Sequence, residues 1–136
     1  MIEVVEYRAK HLECLGVNPK NVSLDDDTIP GYTIMLEGLP IACGGLRISS
    51  GGIAEAWLVT GDGFIENYIT ACKIIRKKLT QLAEENNIRT LTASYDMDND
   101  THRKFTHWLG FTEPIGIFYH LGGAFAGKAF MVVMKP

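Results

Sequence analysis

The stretch that decides the fold is residues 53–86, which read IAEAWLVTGDGFIENYITACKIIRKKLTQLAEEN. Its first eight residues, rich in β-branched and apolar side chains and ending at a glycine, predict a strand over Ile53–Thr60. Beyond Gly61 the apolar residues recur at steps of three and four, at Ile65, Tyr68, Ile69, Cys72, Ile75, Leu79 and Leu82. That spacing puts them on one face of a helix that runs to about Asn86.

The half of the chain before this stretch predicts an antiparallel meander. Two apolar runs flank the turn residues Glu37-Gly38-Leu39-Pro40, which is a hairpin signal. A glycine-rich turn then leads into the strand that starts at Ile53. The predicted elements are a strand at Met1–Arg8, a short helix at Ala9–Leu15, a polar loop with at most one helical turn at Gly16–Pro30, and strands at Gly31–Leu36 and Ile41–Ile48.

The half after the stretch predicts a change to parallel pairing. Arg89–Tyr95 reads as a strand that follows the long helix, and a strand–helix–strand crossover joins parallel strands. A second helix at Asn99–Leu109, ended by Gly110, and strands at Ile115–Leu121 and Ala129–Met134 complete the chain. The fold class is therefore α/β (α+β). We predict one domain over residues 1–136, with a mixed central sheet of six to seven strands and three to four flanking helices.

Composition narrows the classes of function. The chain has 136 residues, which is the size of one ordinary domain, and 13 basic against 16 acidic residues give a net charge of −3. An acidic balance argues against sequence-blind binding of nucleic acid. Three cysteines without CxxC spacing favour neither a disulfide framework nor a zinc site. No run suits a signal peptide or a membrane span, so we expect a cytoplasmic protein with no nucleic-acid or membrane partner.

The turn Gly61-Asp62-Gly63 has two interpretations. Where the meander meets a strand that arrives by crossover, the sheet can splay and leave backbone groups unpaired. The first amides of the following helix then point at whatever sits in the turn, and glycines let a phosphate approach closely. In the other interpretation, the turn simply joins strand to helix, with Asp62 as the N-cap.

A second motif lies near the C-terminus and supports a family resemblance. Residues 99–111 read NDTHRKFTHWLGF, and residues 54–60 read AEAWLVT. An Asn after the fifth strand is followed by an amphipathic helix and then by Leu-Gly-Phe. In this pattern and in the order of its elements, the chain resembles the GNAT superfamily of acyl-CoA-dependent N-acyltransferases. The resemblance covers most of the chain. It implies acetyl-CoA as acyl donor, an amine as acceptor, and no metal.

The resemblance also implies roles for individual residues. Glu55 would deprotonate the amine. Thr106 stands at the catalytic position where the family often has a tyrosine as general acid, and Tyr95 or Tyr119 could replace that tyrosine. The amides of Val59 and Thr60 would bind the pantetheine arm, and those of the following turn the pyrophosphate. The residues implied in cofactor binding are Leu58, Val59, Thr60, Gly61, Gly63, Phe64, Ile65, Asn99, Arg103 and Lys104.

Plainer roles stay open for the same residues. Glu55 can be a solvent-facing strand residue, and Asn99 can be the N-cap of the second helix. His102 and His107 are five residues apart and do not share a helix face, which disfavours a metal pair. Strand tyrosines such as Tyr95 and Tyr119 are often packing residues with a hydrogen-bonded hydroxyl.

Two departures from the family pattern concern the chemistry. The turn after the fourth strand has no basic residue, and its Asp62 and Glu66 would repel a pyrophosphate. The position of the usual tyrosine, seven residues after Asn99, is occupied by Thr106. Arg103 or Lys104 could supply the positive charge that the turn lacks.

A narrower resemblance gives the second hypothesis. Trp57-Leu58-Val59-Thr60 followed by Asp62, with Asn99 and His102 before Leu109-Gly110, is similar to small GNAT-like proteins of short-tailed phages. This resemblance implies a phage source and an assembly or host-modifying role. The second hypothesis is therefore a catalytically inactive GNAT-like protein with a virion-assembly or host-interaction role. A homodimer, which GNAT-like domains often form through C-terminal strands, and a phage or host protein partner are left open.

Overall fold

The fold was analysed in a computed structural model, which describes residues 1–49, 51–96, 104, 113–120 and 127–134, with the side chains of 1–49, 51–93 and 104. Seven strands are described, and they form a mixed sheet in the order β1-β2-β3-β4-β5-β7-β6. The strands are β1 Ile2–Glu6, β2 Gly31–Leu36, β3 Leu39–Ile48, β4 Ile53–Thr60, β5 Thr90–Asp96, β6 Glu113–His120 and β7 Gly127–Met134. The helices described are α1 Ala9–Cys14 and α2 Tyr68–Glu85, with 3-10 turns at Pro19–Val22 and Ile65–Asn67.

The predicted fold class is confirmed. β1, β2 and β3 pair antiparallel, β4 pairs parallel with β5 across the α2 crossover, and β7 pairs antiparallel with β5 and β6. The predicted second helix at Asn99–Leu109 lies outside the described residues, apart from Lys104, which is helical. The two last strands begin two residues earlier than predicted, at Glu113 and Gly127.

The chain divides into two compact units. The first contains Met1–Arg47 and Ala56–Glu85, and the second contains Ile48–Glu55 and Asn86–Pro136. β4 therefore begins in the second unit and ends in the first. That the whole chain acts as a single domain stays a prediction.

The β2–β3 hairpin is tighter than the sequence suggests. Leu36 pairs directly with Leu39, so the turn consists of Glu37 and Gly38, both at positive φ (51° and 80°). Two consecutive residues at positive φ are typical of a type I′ turn, whose twist matches that of the strands it joins. Leu39 and Pro40 therefore belong to β3, two residues before the predicted start.

The first unit buries side chains on both faces of its strands. Residues Pro40–Leu46 of β3 are buried without interruption, which requires cover on both sides of the strand. α2 packs against β2 and buries Ala71, Cys72, Ile75 and Leu79. A second apolar cluster consists of Tyr7, Leu12, Leu24, Cys43 and Trp57, with partly buried neighbours that include Leu15 and Val59.

The two ends of α2 are defined by backbone conformations that the spacing of its apolar residues does not predict. Phe64 is already in the right-handed helical region, and a 3-10 turn over Ile65–Asn67 leads into the α-helix at Tyr68. This 3-10 turn has no side-chain cap, so the interpretation of Asp62 as N-cap is wrong. After Glu85 the chain leaves the helix, and Asn87 takes the left-handed conformation (φ 55°) that commonly ends helices.

Candidate active site

The candidate site is built from the end of β4, the turn after it and the start of α2, all within the first unit. Parallel pairing of β4 with β5 runs from Ile53–Thr90 to Glu55–Thr92 and, over the described residues, ends there. β4 itself continues to Thr60. Its last five residues therefore lie beyond the parallel ladder, which is where the sequence predicted unpaired backbone groups.

The turn is held to β3 by its first residue. The N–H of Gly61 donates to the carbonyl oxygen of Ile41 over 2.9 Å, and the N–H of Phe64 donates to the carbonyl oxygen of Gly61 over 3.3 Å. The Asn67 amide group donates to the carbonyl oxygen of Gly63 over 2.8 Å. The turn is thus closed by hydrogen bonds from both its backbone and a side chain.

Both glycines of the turn stand where an added side chain would lie very close to a neighbouring one. A Cβ on Gly61 would lie 2.5 Å from Cδ2 of Leu15. A Cβ on Gly63 would lie 3.0 Å from Cγ2 of Ile41, and Gly63 has φ +90°, which side chains disfavour. The glycines therefore serve the packing of this turn, whatever else they do.

Four backbone amides of the turn were predicted to face a pyrophosphate, and the structure divides them. Those of Gly61 and Phe64 already donate to backbone oxygens. Those of Gly63 and Ile65 have no such backbone acceptor among the described residues. They lie at the start of the helical segment, where unpaired N–H groups and the helix dipole favour an anion. Of the four predicted amides, those of Gly63 and Ile65 therefore remain candidates for binding an anion.

The charged residues next to these two amides in the sequence are acidic. The side chains of Asp62 and Glu66 are both exposed, and no basic residue lies between Gly61 and Thr70. The nearest basic residue along α2 is Lys73, two helical turns beyond Glu66. Within this segment, an anion would be bound by backbone dipoles and repelled by two carboxylates.

Glu55, the predicted base, is partly exposed on β4 and lies opposite Thr92 in the register with β5. Strand alternation puts Glu55, Trp57 and Val59 on one face of β4, as the sequence predicted. Trp57 is buried, packed edge-on to Tyr7 with ring centroids 5.0 Å apart. Its indole nitrogen is buried without a hydrogen-bond partner in the described part of the chain.

Several predicted site residues lie beyond what the structure describes. Tyr95 belongs to β5, where it pairs with Phe130, but its side chain is outside the described set. Asn99, Arg103 and Thr106 are outside it altogether. Lys104 is described as helical and exposed. The roles of these residues stay predictions.

The structure also assembles a buried polar cluster that sequence reasoning missed. Nδ1 of His11 accepts from the N–H of Arg8 over 3.2 Å and lies 2.7 Å from Oγ1 of Thr33. Because a backbone N–H can only donate, Nδ1 is an acceptor and the ring carries its proton on Nε2. Thr33 Oγ1 is in turn 3.4 Å from Sγ of Cys43. The residues come from α1, β2 and β3, so no spacing along the sequence could reveal them.

Burial controls protonation in this cluster. Burial lowers the pKa of His11 from its ordinary value, and Lys10 and Arg8 add to the effect while Asp27 opposes it. Burial raises the pKa of the Cys43 thiol to about 11, and the contact with Thr33 acts in the opposite direction. A thiol of that pKa is a poor nucleophile at neutral pH. The cluster is a neutral, structural network.

Tyr7 and Tyr32 extend the same pattern. The Tyr7 hydroxyl donates to the carbonyl oxygen of Leu24, and its pKa is raised to about 12 by burial, with smaller contributions from Cys43 and from Asp27 and Asp25. Burial also raises the pKa of Tyr32, whose hydroxyl is buried without a partner among the described residues. Both phenols stay protonated at neutral pH.

Within the described residues, no group of three or more His, Cys, Asp and Glu side chains is placed to hold a metal ion. None of the described helices is long and apolar enough to cross a membrane.

Comparison with solved structures identifies the architecture. The IAA acetyltransferase from Bacillus cereus superposes with a TM-score of 0.75 at 12% identity, covering 100% of each chain. An acetyltransferase of the GNAT family from Bacillus anthracis gives 0.71 at 12% identity, covering 98% of this chain and 94% of that one. This chain has the GNAT fold. No protein-family model and no curated protein matches the sequence.

A third protein with the GNAT fold connects the architecture to a ligand. An acetyltransferase from Bacillus subtilis, solved in complex with CoA, superposes with a TM-score of 0.71 at 12% identity, over 99% of this chain and 97% of that one. At such low identity the likeness concerns the fold. The chemistry of this chain must be argued from its own residues.

Proposed function

We propose that this chain is an acyl-CoA-dependent N-acyltransferase, which moves the acetyl group of acetyl-CoA to a primary amine of a small molecule or a protein. The observation that carries the proposal is the turn after β4. There, among the described residues, the N–H groups of Gly63 and Ile65 have no backbone acceptor, and they lie at the 3-10 turn that leads into α2. The GNAT fold, shared with acetyltransferases that include one solved with CoA, adds support.

Three requirements define the reaction. The amine must be neutral to attack, the carbonyl oxygen of the thioester gains negative charge, and the leaving thiolate needs a proton. In the proposal the amides of Val59 and Thr60, which lie beyond the parallel ladder, hold the pantetheine arm and polarise the carbonyl. The amides of Gly63 and Ile65 face the pyrophosphate. Leu58, Asn99, Arg103 and Lys104 complete the binding of the cofactor.

In the proposal, proton transfer is carried out by side chains on β4, on β5 and in the segment that follows β5. Glu55 accepts the proton of the amine, directly or through water, so that the nitrogen lone pair forms the new C–N bond. The C–S bond then breaks, and the thiolate takes a proton from the Tyr95 hydroxyl or from Thr106. We further propose that the chain works in the cytoplasm as one domain.

The test is an acetylation assay against a panel of amines, with products identified by mass spectrometry. Replacing Glu55 by Gln should lower kcat by about 10²- to 10⁴-fold, the usual worth of a general base, while acetyl-CoA affinity stays nearly unchanged. The loss should shrink as pH rises and more amine is neutral. Glu84→Gln, an exposed carboxylate near the end of α2, is the matched control and should behave as wild type.

One observation favours a second candidate, a catalytically inactive GNAT-like protein of a phage with a virion-assembly or host-interaction role. The turn carries Asp62 and Glu66 and no basic residue, which is unfavourable for a pyrophosphate. Absence of any acetylated product across the panel, together with a stable complex with another phage or host protein, would favour this candidate. Product formation that depends on Glu55 would exclude it.

A further inference from the structure

The helix α1 is too short to be stable alone. It has six residues, Ala9–Cys14, whereas isolated helices shorter than about 12 residues are marginal in water. Its position therefore depends on contacts with the rest of the first unit. The N–H of Ala9 donates to Oδ1 of Asp27 over 2.7 Å on the exposed side, and the Leu12 side chain is fully buried in the apolar cluster that contains Trp57. A third contact is made by His11.

His11 holds α1 to β2 and to the residue before the helix. Its Nδ1 accepts from the N–H of Arg8 over 3.2 Å and lies 2.7 Å from Oγ1 of Thr33. The first bond is half of a capping box, in which the third residue of a helix binds the N–H of the residue that precedes the helix. Both bonds need the lone pair on Nδ1, which only the neutral ring supplies.

The other end of α1 lies against the turn after β4. The N–H of Leu15 donates to the carbonyl oxygen of Leu12 over 3.0 Å, so Leu15 closes the helix. Its side chain fills the space beside Gly61, where an added Cβ would lie 2.5 Å from Cδ2 and 3.7 Å from Cγ of Leu15. The N–H of Gly61 is bound to Ile41 of β3. One side of Gly61 is therefore held by the sheet and another by α1.

Protonation of His11 would remove its contact with α1 and β2. An imidazolium ring carries a proton on both nitrogens and accepts no hydrogen bond. The N–H of Arg8 would then face another N–H group. The Thr33 hydroxyl would have to turn its proton toward Sγ of Cys43, which lies 3.4 Å away and is a weak acceptor. The His11 residue is only 8% exposed, so the new charge would also be poorly hydrated.

The charged groups around His11 decide when this happens. Lys10 on α1 and Arg8 before it disfavour a charged ring, and Asp27 from the loop before β2 favours one. β2 presents Thr33, which does not titrate, and β3 presents the Cys43 thiol, which stays neutral because burial raises its pKa to about 11. Burial, assisted by the two cations, holds the pKa of His11 below its ordinary value of 6.5. The ring is therefore neutral at pH 7.5 and gains its proton in mild acid.

We propose that His11 is a positioning residue for the turn after β4: its neutral ring keeps Leu15 against Gly61, and its protonation releases α1 and weakens the binding of acetyl-CoA at the turn. His11 and Leu15 are about one helical turn apart, so α1 itself connects the ring to the turn. The choice of acetyl-CoA as ligand rests on the proposed function, whereas the coupling of His11 to Gly61 is a property of the chain alone. Two experiments test the two parts separately.

The coupling is tested by an NMR titration of the full chain, without ligand, between about pH 7.5 and 5.0. The amide signal of Gly61 should shift with the same midpoint as the ring signals of His11. His11→Asn should abolish that shift, because asparagine does not titrate. Leu15→Ala should abolish it as well, although the His11 ring still titrates. The matched control is Leu82→Ala, which shortens a half-buried leucine near the far end of α2 and should leave the shift in place.

Two results of this titration would overturn the proposal. One is a Gly61 amide signal that does not follow the His11 ring. The other is a Gly61 signal that still follows the ring in Leu15→Ala, because the contact between Leu15 and Gly61 would then not carry the coupling.

The effect on binding is tested by calorimetry with acetyl-CoA. The phosphate monoester of this ligand changes charge near pH 6, so the wild type is compared with His11→Asn at each pH. At pH 7.5 the two proteins should bind alike. At the midpoint of the His11 titration half of the chains carry a protonated ring, so the wild type should lose about twofold more affinity than His11→Asn does.

The calorimetric outcomes separate the two proposals. An equal loss of affinity in the wild type and in His11→Asn would overturn the role of His11 in binding. No binding by the wild type at pH 7.5 would overturn the proposed function and with it the choice of ligand. The NMR titration would then decide by itself whether His11 controls the turn.

Discussion

The backbone N–H of Gly61 donates to the carbonyl oxygen of Ile41 over 2.9 Å, and this hydrogen bond fixes the turn after β4 to the neighbouring strand β3. Ile41 also restricts the turn through its side chain, which touches the space beside Gly63. The amides of Gly63 and Ile65, which we propose face an anion, are therefore positioned by a strand distant in sequence. The position of the turn is therefore set by the sheet, and the binding proposed for its amides depends on that hydrogen bond.

Gly63 should tolerate alanine less well than another glycine of similar conformation. A side chain at positive φ would be strained at both Gly63 (φ +90°) and Gly38 (φ +80°). A Cβ on Gly63 would also lie 3.0 Å from the Ile41 side chain, whereas a Cβ on Gly38 meets nothing within 4 Å. We expect Gly38→Ala to cost about 1 kcal/mol and Gly63→Ala about 2–3 kcal/mol of unfolding free energy. Urea denaturation of both variants measures the difference. Equal losses would mean that the contact with Ile41 does not constrain the turn.

Asp62 should weaken the binding of acetyl-CoA. Its exposed carboxylate adjoins the amides proposed for the pyrophosphate, and a like charge a few ångströms away in water costs on the order of 1 kcal/mol. Asp62→Asn should therefore tighten binding about fivefold at low ionic strength, and the gain should fade with added salt. Glu84→Asn is the control, since Glu84 lies far along α2. Calorimetry that shows weaker binding for Asp62→Asn would argue that the carboxylate has another task at this site.

His11 should make the fold sensitive to mild acid. Burial holds its pKa below the ordinary value of 6.5, so the folded state binds fewer protons than the unfolded state does. The stabilisation is complete above about pH 6.5 and is lost as the pH falls through the folded pKa. The unfolding free energy measured by urea denaturation should therefore be lower at pH 5.5 than at pH 7.5.

The control for His11 is asparagine, which does not titrate. The Asn side-chain oxygen can accept from the Arg8 N–H and the Thr33 hydroxyl, as Nδ1 does in the structure. His11→Asn should lose less stability between the two pH values than the wild type loses. An identical loss in both proteins would assign the acid sensitivity to other groups.

Local sequence features predicted much of the fold. The bounds of β2 and β4 match the prediction. Pro30 and the Glu37-Gly38 turn border β2, and Gly52 and Gly61 border β4. The start of α2 was less predictable. The apolar period begins at Ile65, yet the chain passes through a 3-10 turn before Tyr68, and the amide group of Asn67 bonds back to Gly63.

The candidate site was predictable in its position but not in its contacts. Two glycines between a strand and a helix indicated an anion-binding turn. Which amides remain available depends on Gly61 meeting Ile41, a pairing between distant segments that no local pattern encodes. The neutral cluster of His11, Thr33 and Cys43 escaped prediction for the same reason.

The most direct test of the account is a calorimetric titration of the chain with acetyl-CoA at low ionic strength. The account predicts saturable binding at one site per chain, weakened by Gly63→Ala, which disturbs the turn, and unaffected by Gly38→Ala. A millimolar dissociation constant corresponds to only about 4 kcal/mol of binding free energy. If no heat of binding is measured up to about millimolar acetyl-CoA, the account is contradicted.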